Sequence, residues 1–198
     1  MGLLYITILS SFLIGSFPTG YILVKKYCGI DIRTKGSGNI GSTNVKRVAG
    51  AKIAYITQAV DILKGVIPML AAMYIANNFN LPVDRNVFLS LTAAAAVLGH
   101  NYTPFLMFHG GKGVNTTLGS FIFIAPIPVI VGILLHILLK RVFPIVAVRS
   151  IILGVSIAVT AMIMKLPQPV INACIFAAVV MILRHRKNIQ ELLSKNNK

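Results

Sequence analysis

Charged residues are scarce in this sequence, and acidic residues are the scarcest. Only 12% of the 198 residues are charged, and four of these are acidic: Asp31, Asp61, Asp84 and Glu191. Soluble globular proteins usually carry about a quarter charged residues. The 56% hydrophobic content and the mean hydropathy of +0.82 are far above that class. This composition excludes a soluble domain and favours a protein whose solvent is lipid.

Cysteine is also rare, since Cys28 and Cys174 are the two in the chain, far apart and without metal-ligand spacing. Both are interpreted as ordinary reduced thiols. No metal and no cofactor is predicted. The N-terminus lacks the basic region and the cleavage site of a signal peptide, so the first apolar segment is expected to stay in the mature protein.

Basic residues are abundant by contrast. Nineteen Lys and Arg against four acids give a formal net charge of +15. They fall between apolar runs, where basic residues orient helices in a membrane and bind anionic lipid or phosphate. No folded basic surface or aromatic stacking platform remains for nucleic acid, which is therefore not expected as a partner.

Apolar runs divide the chain into membrane segments. The longer runs approach the ~20 residues with which a helix crosses ~30 Å of hydrocarbon. Six are apparent, at residues 3–24, 53–76, 87–105, 114–139, 145–164 and 170–183. Basic segments are expected on the cytoplasmic side, and they comprise residues 25–52, Lys112, residues 140–141 and residues 184–198. Both ends of the run at 114–139 would then lie inside.

A segment that leaves and re-enters on one side needs a turn, and Ala125-Pro126-Ile127-Pro128 lies at the middle of this run. Its prolines remove helix hydrogen-bond donors. The predicted fold is an all-α integral membrane protein with seven transmembrane helices, the N-terminus outside and the C-terminus cytoplasmic, in a single domain over residues 1–198. Limbs of about a dozen residues reach only ~18 Å, so they are expected to be longer or to be buried by neighbouring helices.

The first cytoplasmic loop has the composition of a phosphate cradle. It reads Gly36-Ser37-Gly38-Asn39-Ile40-Gly41-Ser42-Thr43-Asn44-Val45-Lys46-Arg47. Glycines let backbone N–H groups converge on an anion, hydroxyl and amide groups add donors, and Lys or Arg supplies charge. A connecting loop without a ligand would have the same composition, and this segment alone does not separate the two interpretations.

A second loop places glycines around a cation just before a helix. It runs from Gly99-His100 to Gly110-Gly111-Lys112-Gly113-Val114. A helix N-terminus with free N–H groups binds anions. The segment is not the phosphate loop of an NTPase, because Leu106 and Gly113 stand where that motif needs Gly and Ser or Thr.

Two further pairs of polar residues are candidates. His185 and Asn188, three apart at the end of the last run, can share a helix face, although basic residues normally end a last span. Asp61 and Lys64 are also three apart but lie inside the second run, where ionisable groups are costly and usually functional. A structural ion pair is the alternative for them. His136, in an apolar run, is interpreted as a packed or interfacial histidine.

In chain order, these segments together resemble the bacterial acyl-phosphate glycerol-3-phosphate acyltransferase family, PlsY. The motifs are Ser37-Gly-Asn-x-Gly-x-Thr-Asn, Asp61-x-x-Lys-Gly, Gly99-His with Pro104-Phe, Gly-Gly-Lys112-Gly-Val and His185-Arg-x-Asn-Ile. The resemblance implies seven membrane helices, a cytoplasmic active site and a place in the bacterial inner membrane. It also implies transfer of a fatty acyl group from acyl phosphate to the sn-1 hydroxyl of glycerol 3-phosphate, giving lysophosphatidic acid.

The resemblance implies which residues form the site. The expected catalytic residues are Ser37, Lys112, His185 and Asn188. The expected substrate-binding or phosphate-binding residues are Gly38, Asn39, Thr43, Asn44, Arg47, Asp61, Lys64, His100, Gly110, Gly111 and Gly113. The proton of the attacking hydroxyl would go to His185 or to the substrate's own phosphate.

One absence bears on the acyl donor. The acyltransferase motif in which Asp follows His after four residues is missing, because Phe105 follows His100 and Gln190 follows His185 at that distance. Acyl phosphate is therefore the expected donor, and glycerol 3-phosphate and membrane lipid are the other expected partners.

The sequence departs from the family pattern at His109, Asn115 and Pro144, where Lys, Ala and Ser are usual, so activity and acyl preference are left open. A function of another class also fits some features. Intramembrane Asp61 and Lys64, broken helices and anion-binding loops would suit a transporter or flippase for a phosphorylated metabolite or anionic lipid. The absence of an evident inverted repeat, and polar motifs confined to one side, argue against it.

Overall fold

The computed structural model describes residues 1–196, and every regular element in that range is a helix. Two short 3-10 turns, Ile32–Thr34 and Pro104–Leu106, lie in the polar loops. The α-helices of the described residues are α1 (Gly2–Gly15), α2 (Thr19–Cys28), α3 (Ser42–Asn78), α4 (Arg85–Asn101), α5 (Val114–Phe121), α6 (Pro126–Leu138), α7 (Val146–Ile163), α8 (Gln168–Arg184) and α9 (Arg186–Asn196). The predicted all-α class is confirmed.

Several helical stretches are long and apolar enough to cross a membrane. Within residues 1–196, three meet this condition singly, Gly2–Cys28, Ser42–Asn78 and Val146–Ile163, and α8 with the start of α9 meets it as a pair that is bent by 50°. Large apolar side chains project outward from these helices, and Ile163 is 74% exposed. Lipid is the solvent that suits such surfaces. The count of seven spans and the sides of the termini stay predictions.

The first apolar run, predicted as one span over residues 3–24, is divided into α1 and α2. The break lies at Ser16–Pro18, and Pro18 adopts φ −89° and ψ 66° just before α2 begins. Proline has no N–H to donate and disfavours helical geometry in the residue before it. A local interruption was therefore missed in this run.

Helix α3 begins at Ser42, whereas the apolar run was predicted to begin at residue 53. Its first turns carry the polar loop's Thr43 and Asn44, and a kink follows at Gly50, where φ is +83° and ψ is 175°. Glycine adopts this left-handed φ without the steric cost that a Cβ would bring. The kink separates the polar first turns from the apolar length of the helix.

The run at 114–139 breaks as predicted, because α5 ends at Phe121 and α6 begins at Pro126. The two helices have 8 and 13 residues, which correspond to ~12 Å and ~20 Å at ~1.5 Å per residue. The expectation was that the limbs are longer or are buried by neighbours, and α5 is not longer. Its Thr116, Thr117 and Ser120 are buried, which agrees with the alternative of burial by neighbours.

The described residues form two compact units, one over Met1–Ser120 and one that begins at Phe121. In the first unit, glycines allow helices to approach closely. A Cβ at Gly15 would lie 2.9 Å from Ala96 C, and one at Gly99 would lie 2.9 Å from Ser16 N, so α1 and α4 meet backbone to backbone. Small residues are the usual interface residues of membrane helices. Gly99 of the second polar motif therefore has a packing role.

The interface of α3 with α5 has the same character. A Cβ at Gly65 would lie 2.5 Å from the Thr116 carbonyl oxygen and 2.8 Å from Ser120 N, and a Cβ at Gly119 would lie 3.0 Å from Ile62 C. Gly65 ends the Asp61-x-x-Lys-Gly motif. Its conformational freedom is not needed there, and the absence of a side chain lets α5 lie against α3.

In the second unit, α7 packs against α6 and α8. A Cβ at Gly132 would lie 3.2 Å from the Leu153 carbonyl oxygen, and one at Gly154 would lie 2.8 Å from Met181 Sδ. Leu153, Ile157 and Met181 are among the fully buried side chains of this unit. The prediction of one domain over residues 1–198 stays a prediction.

Candidate active site

The first polar loop is shaped by one buried side chain, Asn44 in the first turn of α3. Its Oδ1 accepts a hydrogen bond from Ser37 N–H at 2.9 Å, and its Nδ2 donates to the carbonyls of Lys35 and Asn39 at 3.0 Å and 2.9 Å. Asn44 is 1% exposed, and buried amides require such partners. The Asn44 amide is hydrogen-bonded to the loop backbone. Asn44 therefore fixes the shape of the predicted phosphate cradle and does not itself point toward a ligand on the open side of the loop.

Two glycines of the same loop occupy positions that a side chain would obstruct. Gly36 and Gly38 have φ of +59° and +68°. A Cβ at Gly36 would overlap Asn44 Oδ1, and one at Gly38 would lie 2.9 Å from the Arg33 carbonyl oxygen. Glycine is required at both positions for two reasons: the backbone adopts a left-handed φ, and no space is left for a Cβ.

The entry to the loop is fixed by an ion pair between Asp31 and Arg33. Arg33 Nη2 lies 2.6 Å from Asp31 Oδ2, and Arg33 Nε lies 3.0 Å from Oδ1. Hydrogen bonding from Arg33, with its charge, lowers the pKa of the Asp31 carboxyl to about 2. Asp31 is therefore ionised at neutral pH, and Arg33 is occupied by it.

The open side of the loop carries the other predicted cradle residues. Ser37, Thr43 and Arg47 are exposed. Asn39 is half-buried, and its Oδ1 accepts from Gly41 N–H at 2.8 Å. Gly41 precedes α3 without a side-chain cap, so the N–H groups of the first turn and the Arg47 guanidinium suit an anion.

The second polar loop is bonded to the end of α4 through two backbone contacts. Gly110 N–H donates to the Asn101 carbonyl at 3.2 Å, and Gly111 N–H donates to the His100 carbonyl at 2.9 Å. The N–H groups of Gly110 and Gly111 are therefore used within the protein. Of the expected phosphate-binding backbone over Gly110–Gly113, this leaves the part from Lys112 onward. Lys112 and Gly113 follow the bonded pair, and Gly113 has φ +81° where the chain turns into α5.

A buried ionic group lies beneath this loop. Lys64 Nζ is 2.9 Å from Asp61 Oδ1 and donates to the Phe17 carbonyl at 2.9 Å, in the break between α1 and α2. His100 Nδ1 lies 3.8 Å from the same carboxylate oxygen. All three side chains are at most 4% exposed, and pairing offsets the cost of burying charges. The structural ion pair is thus present, and it joins α3 to the α1–α2 break.

The His100 ring connects this ionic group to the glycine loop. A Cβ at Gly111 would overlap His100 Nε2 and would lie 2.6 Å from Cε1. Gly111 therefore rests directly on the ring, while Nδ1 faces Asp61. The position of Lys112, the next residue, depends on this stack.

The two polar loops meet within the first unit. Asn115 Nδ2 donates to Ser42 Oγ at 3.4 Å, which links the start of α5 to the start of α3. Leu106 of the second loop belongs to the same buried apolar cluster as Ile32 and Ile40 of the first. These contacts bring the two loops side by side within the first unit. Asn115 is one of the departures from the family pattern, and an alanine could not make this bond.

His185 and Asn188 belong to the second unit. His185 is buried, ends α8, and its Nδ1 contacts the Met181 carbonyl at 2.8 Å. Asn188 lies in the first turn of α9, beyond the 50° bend. The bend lies at His185 itself, and the Ile189 N–H donates to the His185 carbonyl at 3.1 Å, so His185 stands at the start of the turn that carries Asn188. Their predicted role in the site stays a proposal.

Two buried polar residues were missed. Asn101 is fully buried, and neither of its amide atoms has a hydrogen-bond partner among the described residues. A Cβ at Gly113 would lie 2.8 Å from Asn101 Oδ1, so this amide lies behind the turn into α5. Arg149 is 6% exposed inside α7. Its charge within an apolar run was a usable signal, whereas nothing marked Asn101.

Comparison with known proteins decides the family. The family model for glycerol-3-phosphate acyltransferase matches residues 5–195. A glycerol-3-phosphate acyltransferase of Clostridium acetobutylicum is 48% identical over 198 residues, with 100% of each chain covered. The chain belongs to the glycerol-3-phosphate acyltransferase family. The resemblance to the PlsY family is therefore confirmed.

Solved structures agree with this family. Two crystal structures of PlsY, an integral membrane glycerol 3-phosphate acyltransferase, superpose with TM-scores of 0.86 and 0.84 at 32% identity. They represent its glycerol 3-phosphate form and its lysophosphatidic acid form. Each match covers 97% of this chain and 92% of the other. This glycerol-3-phosphate acyltransferase family member is thus an enzyme of the integral membrane PlsY type.

Proposed function

We propose that this family member transfers a fatty acyl group from acyl phosphate to the sn-1 hydroxyl of glycerol 3-phosphate. Its relatives are glycerol-3-phosphate acyltransferases, and the two similar crystal structures are the glycerol 3-phosphate form and the lysophosphatidic acid form of PlsY. The observation that carries the proposal is the packing of the two polar loops on one buried apolar cluster, which includes Ile32, Ile40 and Leu106, because it brings the N-termini of α3 and α5 together near Arg47 and Lys112. Such an arrangement suits substrates that both carry phosphate.

The chemistry requires little beyond positioning and charge stabilisation. The sn-1 oxygen attacks the acyl carbonyl carbon, a C–O ester bond forms, and the bond from that carbon to the phosphate oxygen breaks. Phosphate leaves with the electron pair, and the hydroxyl proton goes to phosphate or to His185. Acyl phosphate is an activated anhydride, so no covalent nucleophile on the protein is needed.

Each polar group then has a role in the proposal. Lys112 and the α5 N-terminus neutralise one phosphate, and Ser37, Thr43 and Arg47 offer donors from the first loop. His185 and Asn188 position glycerol 3-phosphate or polarise the acyl carbonyl, a role that rests on the family motif. The Asp61–Lys64–His100 group supports Gly111 from below and so fixes the position of Lys112 in the glycine loop.

The membrane arrangement forms part of the proposal. We infer seven membrane segments, an outside N-terminus and a cytoplasmic C-terminus in the bacterial inner membrane, since this places the basic loops inside. Single cysteines at Ser37 and Arg85, in a background without Cys28 and Cys174, can be labelled in intact cells with an impermeant reagent. Arg85 should react and Ser37 should not. Labelling at Ser37 but not at Arg85 would refute the orientation.

The donor is tested with the purified protein in detergent. Palmitoyl phosphate, acyl-CoA and acyl carrier protein thioester are supplied in parallel with glycerol 3-phosphate, and lysophosphatidic acid is quantified. We expect product from palmitoyl phosphate alone. Turnover without a sealed membrane also separates an enzyme from a transporter. Equal or greater product from either thioester would disprove the proposed donor.

A further inference from the structure

The described part of the second unit contains a buried cation without a counter-ion. Arg149, the fourth residue of α7, is 6% exposed, and its Nη1 donates to the His136 carbonyl at 3.1 Å near the end of α6. Among the described residues, its Nε is buried without a hydrogen-bond partner, and no ion pair reaches it. Glu191, the one acidic side chain after residue 120, is exposed on α9.

A guanidinium in this position needs an anion. Removing a cation from water is costly unless it is paired, and inside a membrane protein such a group usually has a partner or a ligand. The His136 carbonyl carries part of the negative end of the α6 dipole, but it engages one of five guanidinium donors. The hydrogen bonds that the protein supplies therefore do not satisfy the Arg149 guanidinium.

His136 presents a second incomplete group at the same place. Its Nδ1 is buried and makes no hydrogen bond of ordinary geometry within residues 1–196, although the ring lies against the Arg149 backbone. The His136 backbone carbonyl accepts a hydrogen bond from Arg149. The tautomer with hydrogen on Nδ1 would donate, as Arg149 Nε does. Two N–H groups on neighbouring side chains suit the oxygens of one phosphate.

The surroundings indicate that the phosphate belongs to a lipid. Lys140 and Arg141 are exposed in the loop that joins α6 to α7, and apolar Leu138 and Val142 beside them are 69% and 68% exposed. Basic residues next to exposed apolar side chains are typical of a membrane interface that attracts anionic lipid. A free phosphate would use the cations and leave this apolar edge uncovered.

We propose that Arg149 and His136, with Lys140 and Arg141 at the rim, bind the phosphate headgroup of an anionic phospholipid. The acyl chains would lie along the exposed apolar side chains next to the loop. This site uses none of the residues assigned to acyl transfer, so it holds or fails separately from the proposed donor and acceptor.

Lipid binding to the purified full chain tests the site by native mass spectrometry. Phosphatidylglycerol and phosphatidylcholine with the same acyl chains are supplied at equal concentration, and inorganic phosphate is supplied in a separate arm. The wild-type protein should retain phosphatidylglycerol about tenfold better, as expected for a charge-assisted contact. Arg149→Gln should abolish this preference. Lys165→Gln, which removes an exposed charge beyond the other end of α7, should keep it.

A second variant guards against misfolding of Arg149→Gln. His136→Phe removes Nδ1 but leaves the carbonyl that Arg149 contacts, so it should fold and still lose most of the preference. Phosphatidylglycerol should raise the Tm of the wild-type protein and not that of either variant. An unchanged preference in Arg149→Gln or in His136→Phe would overturn the site. Inorganic phosphate that binds as tightly as the lipid would overturn the assignment to a phospholipid.

Discussion

Gly111→Ala tests how the second polar loop, which carries Lys112, is supported. The new Cβ would lie 2.6 Å from Cε1 and 2.9 Å from Cδ2 of His100, whereas carbon atoms pack at ~3.5–4.0 Å. The ring cannot easily retreat, because it is 4% exposed and its Nδ1 lies 3.8 Å from the Asp61 carboxylate. The loop must therefore rise by about 1 Å, and Lys112 moves with it.

The magnitude follows from this displacement. Overpacking of a buried contact costs ~1–3 kcal/mol of stability, and a shift of ~1 Å in a reacting group costs about a hundredfold in rate. We expect Gly111→Ala to insert and fold, and its kcat/KM for glycerol 3-phosphate to fall about a hundredfold. Lysophosphatidic acid formation at limiting and saturating acceptor gives this value.

Two controls separate the overlap from general damage. Gly29→Ala introduces a Cβ at φ +69° with nothing within 4 Å, so it should lose stability through backbone strain and keep its kcat/KM. His100→Ala removes the ring, and adding Gly111→Ala to it should cost less than ~0.5 kcal/mol more. Near wild-type kcat/KM in Gly111→Ala, or additive stability losses in the double variant, would refute this account of the loop.

Further predictions concern the two loops and the direct mechanism. Lys112→Ala should lower kcat/KM roughly a hundredfold through loss of a charge-assisted phosphate contact. If the variant inserts as well as the wild type and keeps near wild-type turnover, Lys112 serves only to orient the protein in the membrane. His109→Lys should be tolerated or mildly activating in the same assay. Asn44→Ala, which removes the amide that bonds Ser37, Lys35 and Asn39, should lower the Tm and raise the KM for phosphate substrates, and an unchanged KM would contradict its loop-shaping role. Cys28→Ala/Cys174→Ala should stay active without accumulating an acyl-enzyme when acceptor is omitted, and a trapped acyl adduct on any side chain would exclude direct transfer.

Most of the helical organisation could be predicted because it depends on local hydrophobic runs and proline. The run at 145–164 became α7, Val146–Ile163, and the break in the run at 114–139 falls next to Pro126. The break at Pro18 has the same cause, because proline lacks the N–H that a helix needs. It was not predicted because the residues around Pro18 form one apolar run. The start of α3 was misjudged because its first turns are polar, and tertiary contacts rather than apolar periodicity form them.

The sequence predicts which residues form the candidate site, but it does not predict the contacts that hold them in place. Spacing marked Asn44 and Gly111 as polar-loop residues, yet their partners, the loop carbonyls and the His100 ring, come from elsewhere in the fold. The same reason hid Asn101, whose burial behind Gly113 depends on packing of the loop onto α4. Asp61 and Lys64 were recognised as a pair because a helix fixes residues three apart on one face.

Product stoichiometry tests the central claim most directly. Purified protein in detergent receives palmitoyl phosphate and glycerol 3-phosphate, and inorganic phosphate and lysophosphatidic acid are measured in the same reaction, with each substrate omitted in turn. Direct acyl transfer predicts equal amounts of the two products, and no product excess over a protein-free control when glycerol 3-phosphate is absent. Protein-dependent phosphate release without lysophosphatidic acid would contradict acyl transfer to glycerol 3-phosphate.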